Sequence, residues 1–178
     1  MKENKSKTFS LRMIVYCALL VAMEVVLSRF VSINTAGWKI GFSFVPVIVA
    51  AVLYGPYAAA VVDGLADLIG ALLFPIGPYF PGFTICAVIT GAVWGVFLYR
   101  KNPMKHTVRN IVLPSLINNV VIGLFINTVW VSILYGSKTY VGWFLYRLPE
   151  YAVLIPLNLL LIPVLVKLCE QLRKYKLK

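Results

Sequence analysis

Several acidic side chains stand where an apolar environment would exclude them. The chain has six Asp and Glu residues, and four of them lie inside long apolar runs: Glu24, Asp63, Asp67 and Glu150. A carboxylate at the centre of a bilayer costs about 2.5–3.5 kcal/mol on insertion scales, so each one needs a partner, a proton or a water-filled cavity. Two interpretations follow. The acids either hydrogen-bond to neighbouring helices or form a polar ligand site inside a helix bundle.

The spacing of these acids indicates which of them act together. Asp63 and Asp67 are four residues apart, so in a helix they share one face, where two carboxylates are not expected to be both charged and unpaired. Arg147 and Glu150 are three residues apart. This spacing predicts a local ion pair, and the alternative is that both side chains reach a ligand.

One later apolar run, residues 111–134, adds three carboxamides, at Asn118, Asn119 and Asn127. Adjacent residues of a helix point about 100° apart, so at least one of Asn118 and Asn119 faces inward. A carboxamide both donates and accepts hydrogen bonds, which suits contact with a neighbouring helix or with a polar ligand.

Composition shows what kind of element must position these groups. Apolar residues make up 61% of the 178 residues and charged residues 13%, against about 45–50% and 25% in soluble domains. The excess apolar surface must face lipid. This excludes a soluble enzyme and a disordered chain, and three scattered cysteines in apolar runs exclude a disulfide scaffold.

The apolar runs are long enough for membrane-spanning helices, which need about 17–25 residues. Four runs qualify, and a fifth, Gly41–Phe74, is broken at Gly55-Pro56. We expect two short helices there, with local thinning of the bilayer. The fold class is therefore all-α integral membrane, a single six-helix domain over residues 1–178, with helices at about 9–30, 41–54, 57–73, 83–100, 108–134 and 143–172.

The basic residues predict the orientation of these helices. Of 17 Lys and Arg residues, 13 fall into three clusters. If all three clusters are cytoplasmic, an even number of helices separates them, which gives six helices with both termini cytoplasmic. The clusters are Lys2, Lys5, Lys7 and Arg12; Arg100, Lys101, Lys105 and Arg109; and Lys167, Arg173, Lys174, Lys176 and Lys178.

Catalytic signatures are missing from the sequence. There is no Gly-x-x-x-x-Gly-Lys-Ser/Thr phosphate loop, so the chain has no ATPase site of that type. The single histidine, His106, lies in a basic loop, and no spacing of ligands suggests a metal site. An enzyme that uses Asp63 and Asp67 as paired acid and base would lack a nucleophile. We therefore expect neither an enzyme nor a metalloprotein.

Three segments of the chain resemble a known family. Ala18-Leu-Leu-Val-Ala22, the run Ile40-Gly-Phe-Ser-Phe-Val-Pro46 and the six short-looped helices are similar to the substrate-binding S components of energy-coupling factor (ECF) vitamin transporters. Within that family, residues 66–84 look most like the folate-specific members. The resemblance implies a multi-pass protein of the bacterial cell membrane, which captures folate at the outer face and needs no cofactor.

The resemblance also implies partners. An S component docks on an energising module of one transmembrane coupling subunit and two ATP-binding-cassette ATPase subunits, and it then releases its ligand inward. In the family, the small-residue motif of the first helix packs on the coupling subunit, which assigns docking to Ala18 and Ala22. Ordinary helix packing is the alternative, and no contact with nucleic acid is implied.

Folate chemistry then suggests roles for individual residues. A carboxylate accepts the N–H donors of the pterin edge and a donor serves its carbonyl, which favours Asp67 or Glu150 for the first role and Asn119 or Arg147 for the second. The flat rings would stack on aromatic side chains, and basic groups would bind the anionic glutamate tail. The aromatic candidates are Trp143, Phe74, Tyr79 and Phe80, and the basic ones are Arg29, Lys39 and Lys138.

The loop Pro75–Phe83 is predicted to close over such a site, since it is rich in proline and aromatic residues. An aromatic belt at the membrane interface is the competing interpretation of this loop. At the level of the whole protein, the alternatives are an S component for another vitamin, such as thiamine or riboflavin, and a non-transporting membrane scaffold.

Overall fold

The apolar runs form six helices in a computed structural model, which describes residues 11–34, 39–100 and 107–176. Among these residues, five helices are long and apolar enough to cross a membrane, and a sixth, Phe44–Tyr54, is shorter. The all-helical membrane fold predicted from the sequence is confirmed. The helices are α1 (Leu11–Arg29), α2 (Phe44–Tyr54), α3 (Pro56–Leu73), α4 (Pro81–Leu98), α5 (Val108–Tyr135) and α6 (Tyr140–Lys176).

The short helix α2 lies in the interior of the bundle. Its 11 residues reach about 17 Å, well short of the roughly 30 Å hydrocarbon core. Its side chains Val47, Ile48 and Val52 are at most 2% exposed, and it packs against α1, α3, α4 and α6. Neighbouring helices therefore surround α2 and bury its side chains.

The break predicted at Gly55-Pro56 is a turn of one residue, Gly55, because α3 already begins at Pro56 and not at residue 57. Gly55 has φ +93°, which favours glycine because a side chain there would be strained. Pro56 then begins α3, where its missing N–H costs no helical hydrogen bond.

Among the described residues, α3 and α4 have the most extensive contact of any helix pair, and small residues permit it. A Cβ atom added at Gly91 would lie 2.3 Å from the Ala59 carbonyl oxygen, and one added at Gly95 would lie 2.2 Å from the Pro56 Cα. Close backbone contact of this kind is how helices associate in lipid.

Several helix boundaries differ from those predicted. A short antiparallel pair, β1 (Ile33–Asn34) and β2 (Lys39–Ile40), precedes α2, so α2 begins at Phe44 and not near residue 41. Pro81 begins α4, because proline is favourable at the first position of a helix, and α4 ends at Leu98 and not near residue 100. The last helix starts at Tyr140 and continues to Lys176 through Pro149, Pro156 and Pro163.

The two ends of the bundle differ in character. At the end that we call the cavity end, α1, α3 and α5 finish and α4 and α6 begin. Tyr99, which follows α4, packs against Gly55 at the opposite end. That opposite end also holds Arg12, Arg100 and Arg109, while the predicted cluster members Lys2, Lys5, Lys7, Lys101, Lys105 and Lys178, together with His106, lie outside the described residues.

Candidate functional site

A cavity of about 350 Å³ opens among the helices at the cavity end. Each long wall is one face of a helix, because the lining residues recur at helical spacing. Binding sites for small molecules have volumes of this order, roughly 300–1,000 Å³. The walls are Asp63, Asp67 and Ala71 of α3; Phe83, Cys86, Ala87 and Thr90 of α4; and Asn127, Val131 and Tyr135 of α5, with Arg29, Lys39, Arg147 and the loop Ile76–Tyr79 completing the lining.

The polar groups of the cavity lie at two depths. Counting along each helix from the cavity end at about 1.5 Å per residue, Asp63 lies about 15 Å deep, and Asn127 and Arg147 lie about 10–12 Å deep. Arg29 is the last residue of α1 and therefore lies at the mouth. The cavity thus has hydrogen-bond donors and acceptors at its base and the Arg29 guanidinium at its entrance.

A hydrogen-bond chain joins the loop before α4 to Asp67. The Thr84 hydroxyl donates to Asp67 Oδ2 at 2.7 Å, and Tyr79 Oη lies 3.1 Å from Thr84 Oγ1. Because the Thr84 proton is directed at the carboxylate, Tyr79 is the donor in the second bond. The orientation of Asp67 is therefore coupled to the position of the loop that carries Tyr79.

The other acid of the predicted pair is bonded differently. Asp63 lines the cavity on the same helical face as Asp67, and its side chain also hydrogen-bonds to Glu24. Glu24 itself is buried between α1 and α3, with 5% of its surface exposed. Glu24 therefore takes part in a contact between neighbouring helices, whereas Asp63 and Asp67 line the cavity.

Arg147 is held by four hydrogen bonds at the base of the cavity. Nη1 donates to the Thr128 hydroxyl at 3.1 Å and to the Gly123 carbonyl at 3.3 Å, and Nη2 donates to the Tyr151 hydroxyl at 2.8 Å. Nε forms the ion pair with Glu150 at 3.3 Å. A guanidinium has five N–H groups, so one N–H of this buried and oriented cation has no partner among the described residues and is available to a ligand.

Glu150 stands behind Arg147 and does not line the cavity. It is 2% exposed, and its Oε1 accepts the backbone N–H of Lys39 at 3.0 Å. The Lys39 ammonium in turn donates to Ser28 Oγ at 2.7 Å. The local ion pair predicted by spacing is present. In this arrangement Glu150 positions Arg147 and β2, and the sequence-based prediction that it contacts a ligand directly stays a prediction.

Asn119 also departs from its expected place. Its amide donates to the Ser115 carbonyl at 2.8 Å, and its Oδ1 accepts a hydrogen bond from Asn158 at 3.2 Å. Both ends of the carboxamide are used between α5 and α6, so Asn119 joins helices and does not reach the cavity.

Three of the four predicted aromatic residues pack away from the cavity. The ring of Phe74 meets that of Phe30 at 5.2 Å, and the ring of Phe80 meets that of Trp130 at 5.1 Å. Trp143 is buried at 4% exposure. It contacts the rings of Tyr135 and Tyr146 and the Lys138 ammonium, and Lys138 is not part of the lining. Tyr79 does line the cavity, beside the unpredicted rings of Phe83 and Tyr135.

The structure thus brings together Asp67, Arg147, Tyr79, Arg29 and Lys39 from the predicted set. Thr90, which also lines the cavity, was not singled out from the sequence, and Asn127 was named there only as one of three carboxamides, without a role in binding folate. Asn127, Val131 and Tyr135 follow one another at intervals of four residues. This spacing is the signal that would have placed these three residues on one face of α5.

The comparisons with a protein-family model and with known proteins agree with one another. The family model described as "ECF transporter, substrate-specific component" matches residues 12–166. The chain is 36% identical to a folate transporter FolT of Clostridium novyi, over 89% of this chain and 90% of that protein. It is 26% identical to a FolT of Leuconostoc mesenteroides, over 76% of this chain and 74% of the other.

Solved structures show the same likeness. A crystal structure of FolT bound with folic acid superposes with a TM-score of 0.80 at 32% identity, covering 90% of this chain and 98% of that one. The structure of an S component for biotin superposes with a TM-score of 0.61 at 19% identity, over 95% and 94% of the two chains. The second match shows a shared fold only.

Proposed function

The chain belongs to the family of substrate-specific components of ECF transporters, as its sequence indicated, and from this premise we propose that it captures folate for import. The single observation that supports this ligand is the cavity, which combines acids, a carboxamide and one oriented guanidinium at its base with a basic mouth. Folate has a polar ring edge at one end and an anionic glutamate at the other. These two ends match the two ends of the cavity.

The cavity end faces the outside in this proposal. Arg12, Arg100 and Arg109, which belong to the basic clusters of the sequence, lie at the opposite end. An excess of Lys and Arg marks the cytoplasmic side of a membrane protein. Both termini are then cytoplasmic, and ligand enters from outside past the Ile76–Tyr79 loop.

The pterin ring binds at the base of the cavity. Asp67 accepts its paired N–H donors, because a carboxylate with one oxygen on Thr84 still has acceptor sites to spare. The remaining N–H of Arg147 serves the ring carbonyl. Phe83, Tyr79 and Tyr135 supply the aromatic surface along the cavity.

The glutamate tail lies at the mouth beside Arg29 and Lys39. Arg29 Nε has no hydrogen-bond partner among the described residues, so in this proposal Arg29 offers its positive charge and an N–H group to the carboxylate. Its position depends on Gly70 of α3, because a Cβ there would lie 2.6 Å from Arg29 Nε and 3.0 Å from Nη2.

Replacing Gly70 by Ala is therefore expected to displace the Arg29 guanidinium and to weaken folate binding about two- to fivefold, the scale of a partly exposed ion pair. The protein should remain folded, since the displaced atoms are the end of a flexible side chain. Calorimetric titration of the purified variant measures the effect. Gly64→Ala is the matched control, because on the same helix it displaces only Val88, which is not part of the cavity lining. Equal affinities for the two variants would contradict this role of Arg29.

Transport requires the energising module with which this family associates. In the proposal, that module has one transmembrane coupling subunit and two ATPase subunits, and Ala18 and Ala22 of α1 dock on it. Both alanines are exposed in the described part of the chain, one turn apart on a single face. Such a face permits another helix to approach closely.

The test of the proposed function is a titration of the full chain, purified in detergent, with folate, thiamine and riboflavin. Tight one-to-one binding of folate alone is the expected result. Tight binding of another vitamin would be compatible with a transporter component, but the proposed ligand would change. Binding of none of the three would overturn the proposal of a folate-capture protein.

A further inference from the structure

Two carboxyl groups are in contact between α1 and α3. Glu24 of α1 is 5% exposed, and its side chain hydrogen-bonds to that of Asp63 on α3. An ionised carboxyl group has acceptor oxygens and no donor, so two ionised carboxylates cannot hydrogen-bond to each other. The Glu24–Asp63 pair therefore contains a proton, which one carboxyl group donates to the other.

The pair also has an oxygen that can accept a second proton. Glu24 Oε2 is shielded from solvent and has no hydrogen-bond partner among the described residues. A charged oxygen that is buried without a donor is unfavourable, and protonation removes the charge. A second proton can therefore bind to the pair without displacing a hydrogen bond to another protein group.

One cation lies beside the pair. The ammonium of Lys39, in β2, donates a hydrogen bond to Ser28 Oγ at 2.7 Å, and Ser28 lies one turn from Glu24 on α1. Lys39 interacts electrostatically with both acids of the pair. A nearby positive charge favours the ionised form of a carboxyl group, so Lys39 opposes the binding of a second proton.

The other charged groups around the pair belong to the cavity. Asp67 lies one turn from Asp63 on α3 and acts on both acids of the pair, and Arg29 acts on Asp67 and Lys39. The helices α2 and α4, which also pack against α3, contain no Asp, Glu, Lys or Arg. Their titratable side chains are Tyr54, at the opposite end of the bundle, and Cys86, which acts on Asp67.

With one proton on the pair, the charges around the cavity balance. The lining contains three cations and two acids, and Glu24 and Glu150 each bond to a lining residue. Four carboxyl groups with one proton carry three negative charges, which equal the three positive ones. The lining cations are Arg29, Lys39 and Arg147, and the lining acids are Asp63 and Asp67.

Folate disturbs this balance. Its glutamate brings two further carboxylates, which in the proposed function lie beside Arg29 and Lys39. The ligand then shares the cation that acts on the pair and adds negative charge near it. Both effects favour the neutral form of a buried carboxyl group.

We propose that the Glu24–Asp63 pair is a proton-binding site, which contains one proton before folate binds and takes up a second from solvent when the glutamate tail contacts Arg29 and Lys39. The proton forms an O–H bond with a carboxylate oxygen of the pair, and no other covalent bond changes. This inference rests on the proposed function for the identity of the ligand. Because proton uptake and ligand binding are thermodynamically linked, folate should bind more tightly at lower pH.

Calorimetric titration of the full chain with folate, in two buffers of equal pH and different ionisation enthalpy, counts the protons taken up. For wild type we expect uptake of up to one proton per folate. The affinity should then fall by up to about tenfold for each unit by which the pH rises. Pteroate has one carboxylate where folate has two, so its binding should take up fewer protons. Wild type that binds folate without proton uptake would overturn the proposal.

A double variant assigns the uptake to the pair. Glu24→Gln with Asp63→Asn gives two carboxamides, which can hydrogen-bond to each other and bind no proton. This variant should bind folate without proton uptake. Glu170→Gln is the matched control, because it removes an acid near the far end of α6, and it should take up protons as wild type does. Uptake that persists in the double variant, or that disappears in Glu170→Gln, would show that the pair is not the site.

Infrared spectroscopy tests the first proton in the absence of folate. At neutral pH, the spectrum of wild type should contain the absorption of a protonated carboxyl group that the double variant lacks. If the double variant is not recovered folded, Glu24→Gln alone takes its place in both measurements, with reduced uptake expected. Identical carboxyl absorption in wild type and variant would overturn the proton site. Failure of wild type to bind folate would instead overturn the proposed function, and the infrared result would still decide whether the pair contains a proton.

Discussion

Asp67→Asn is expected to weaken folate binding by about 10- to 100-fold, the scale of losing a charge-assisted pair of hydrogen bonds. The Asn side chain keeps one acceptor oxygen, to which Thr84 still donates. Its amide, however, turns N–H donors toward the N–H donors of the pterin. Calorimetric titration of the purified variant measures the change. Folate affinity equal to that of wild type would exclude Asp67 as the acceptor of the pterin edge.

Thr84 provides the companion variant for this test. Thr84→Val keeps the shape of the side chain and removes the hydroxyl that holds Asp67 and receives the Tyr79 bond. The carboxylate and its charge remain, so the loss of affinity should be smaller than in Asp67→Asn, about two- to tenfold for one hydrogen bond. A larger loss in Thr84→Val than in Asp67→Asn would show that the loop, and not the acid, dominates binding.

Arg147→Met is expected to cause the greatest loss of stability of any single change in the site. The substitution removes four hydrogen bonds and leaves Glu150 buried without its counter-ion. Breaking one side of a buried ion pair costs about 3–5 kcal/mol. The measurement is the thermal unfolding midpoint of the detergent-solubilised protein, together with folate titration. An unchanged midpoint would contradict the importance of the pair.

The double variant Arg147→Met, Glu150→Gln separates stability from binding. It removes the uncompensated charge while a side-chain oxygen remains to accept the Lys39 N–H. We expect the unfolding midpoint to recover in part, whereas folate affinity stays low because the guanidinium is absent. Recovery of affinity along with stability would show that Arg147 supports the fold and makes no contact with ligand.

The polar residues show which relations between side chains can be predicted from the sequence and which cannot. The i, i+4 spacing of Asp63 and Asp67 was sufficient to predict a shared face, and the i, i+3 spacing of Arg147 and Glu150 to predict an ion pair. Both relations lie within one helix, where geometry is fixed by the helical repeat. Relations between helices were not accessible in this way: Asn119 bonds to Asn158 across 39 residues of sequence, and Glu150 to Lys39 across 111.

The sequence by itself determined the membrane class, the number of helices and the turn at Gly55, because these follow from apolar length and from the conformational limits of Gly and Pro. Only the tertiary structure decided that Asn127 lines the cavity and Asn119 does not, and that Glu150 stands behind Arg147. The physical reason is that lipid and protein interior are both apolar. A hydrophobic pattern therefore identifies a span without showing which of its faces packs inward, and that choice is made by the contacts among all six helices.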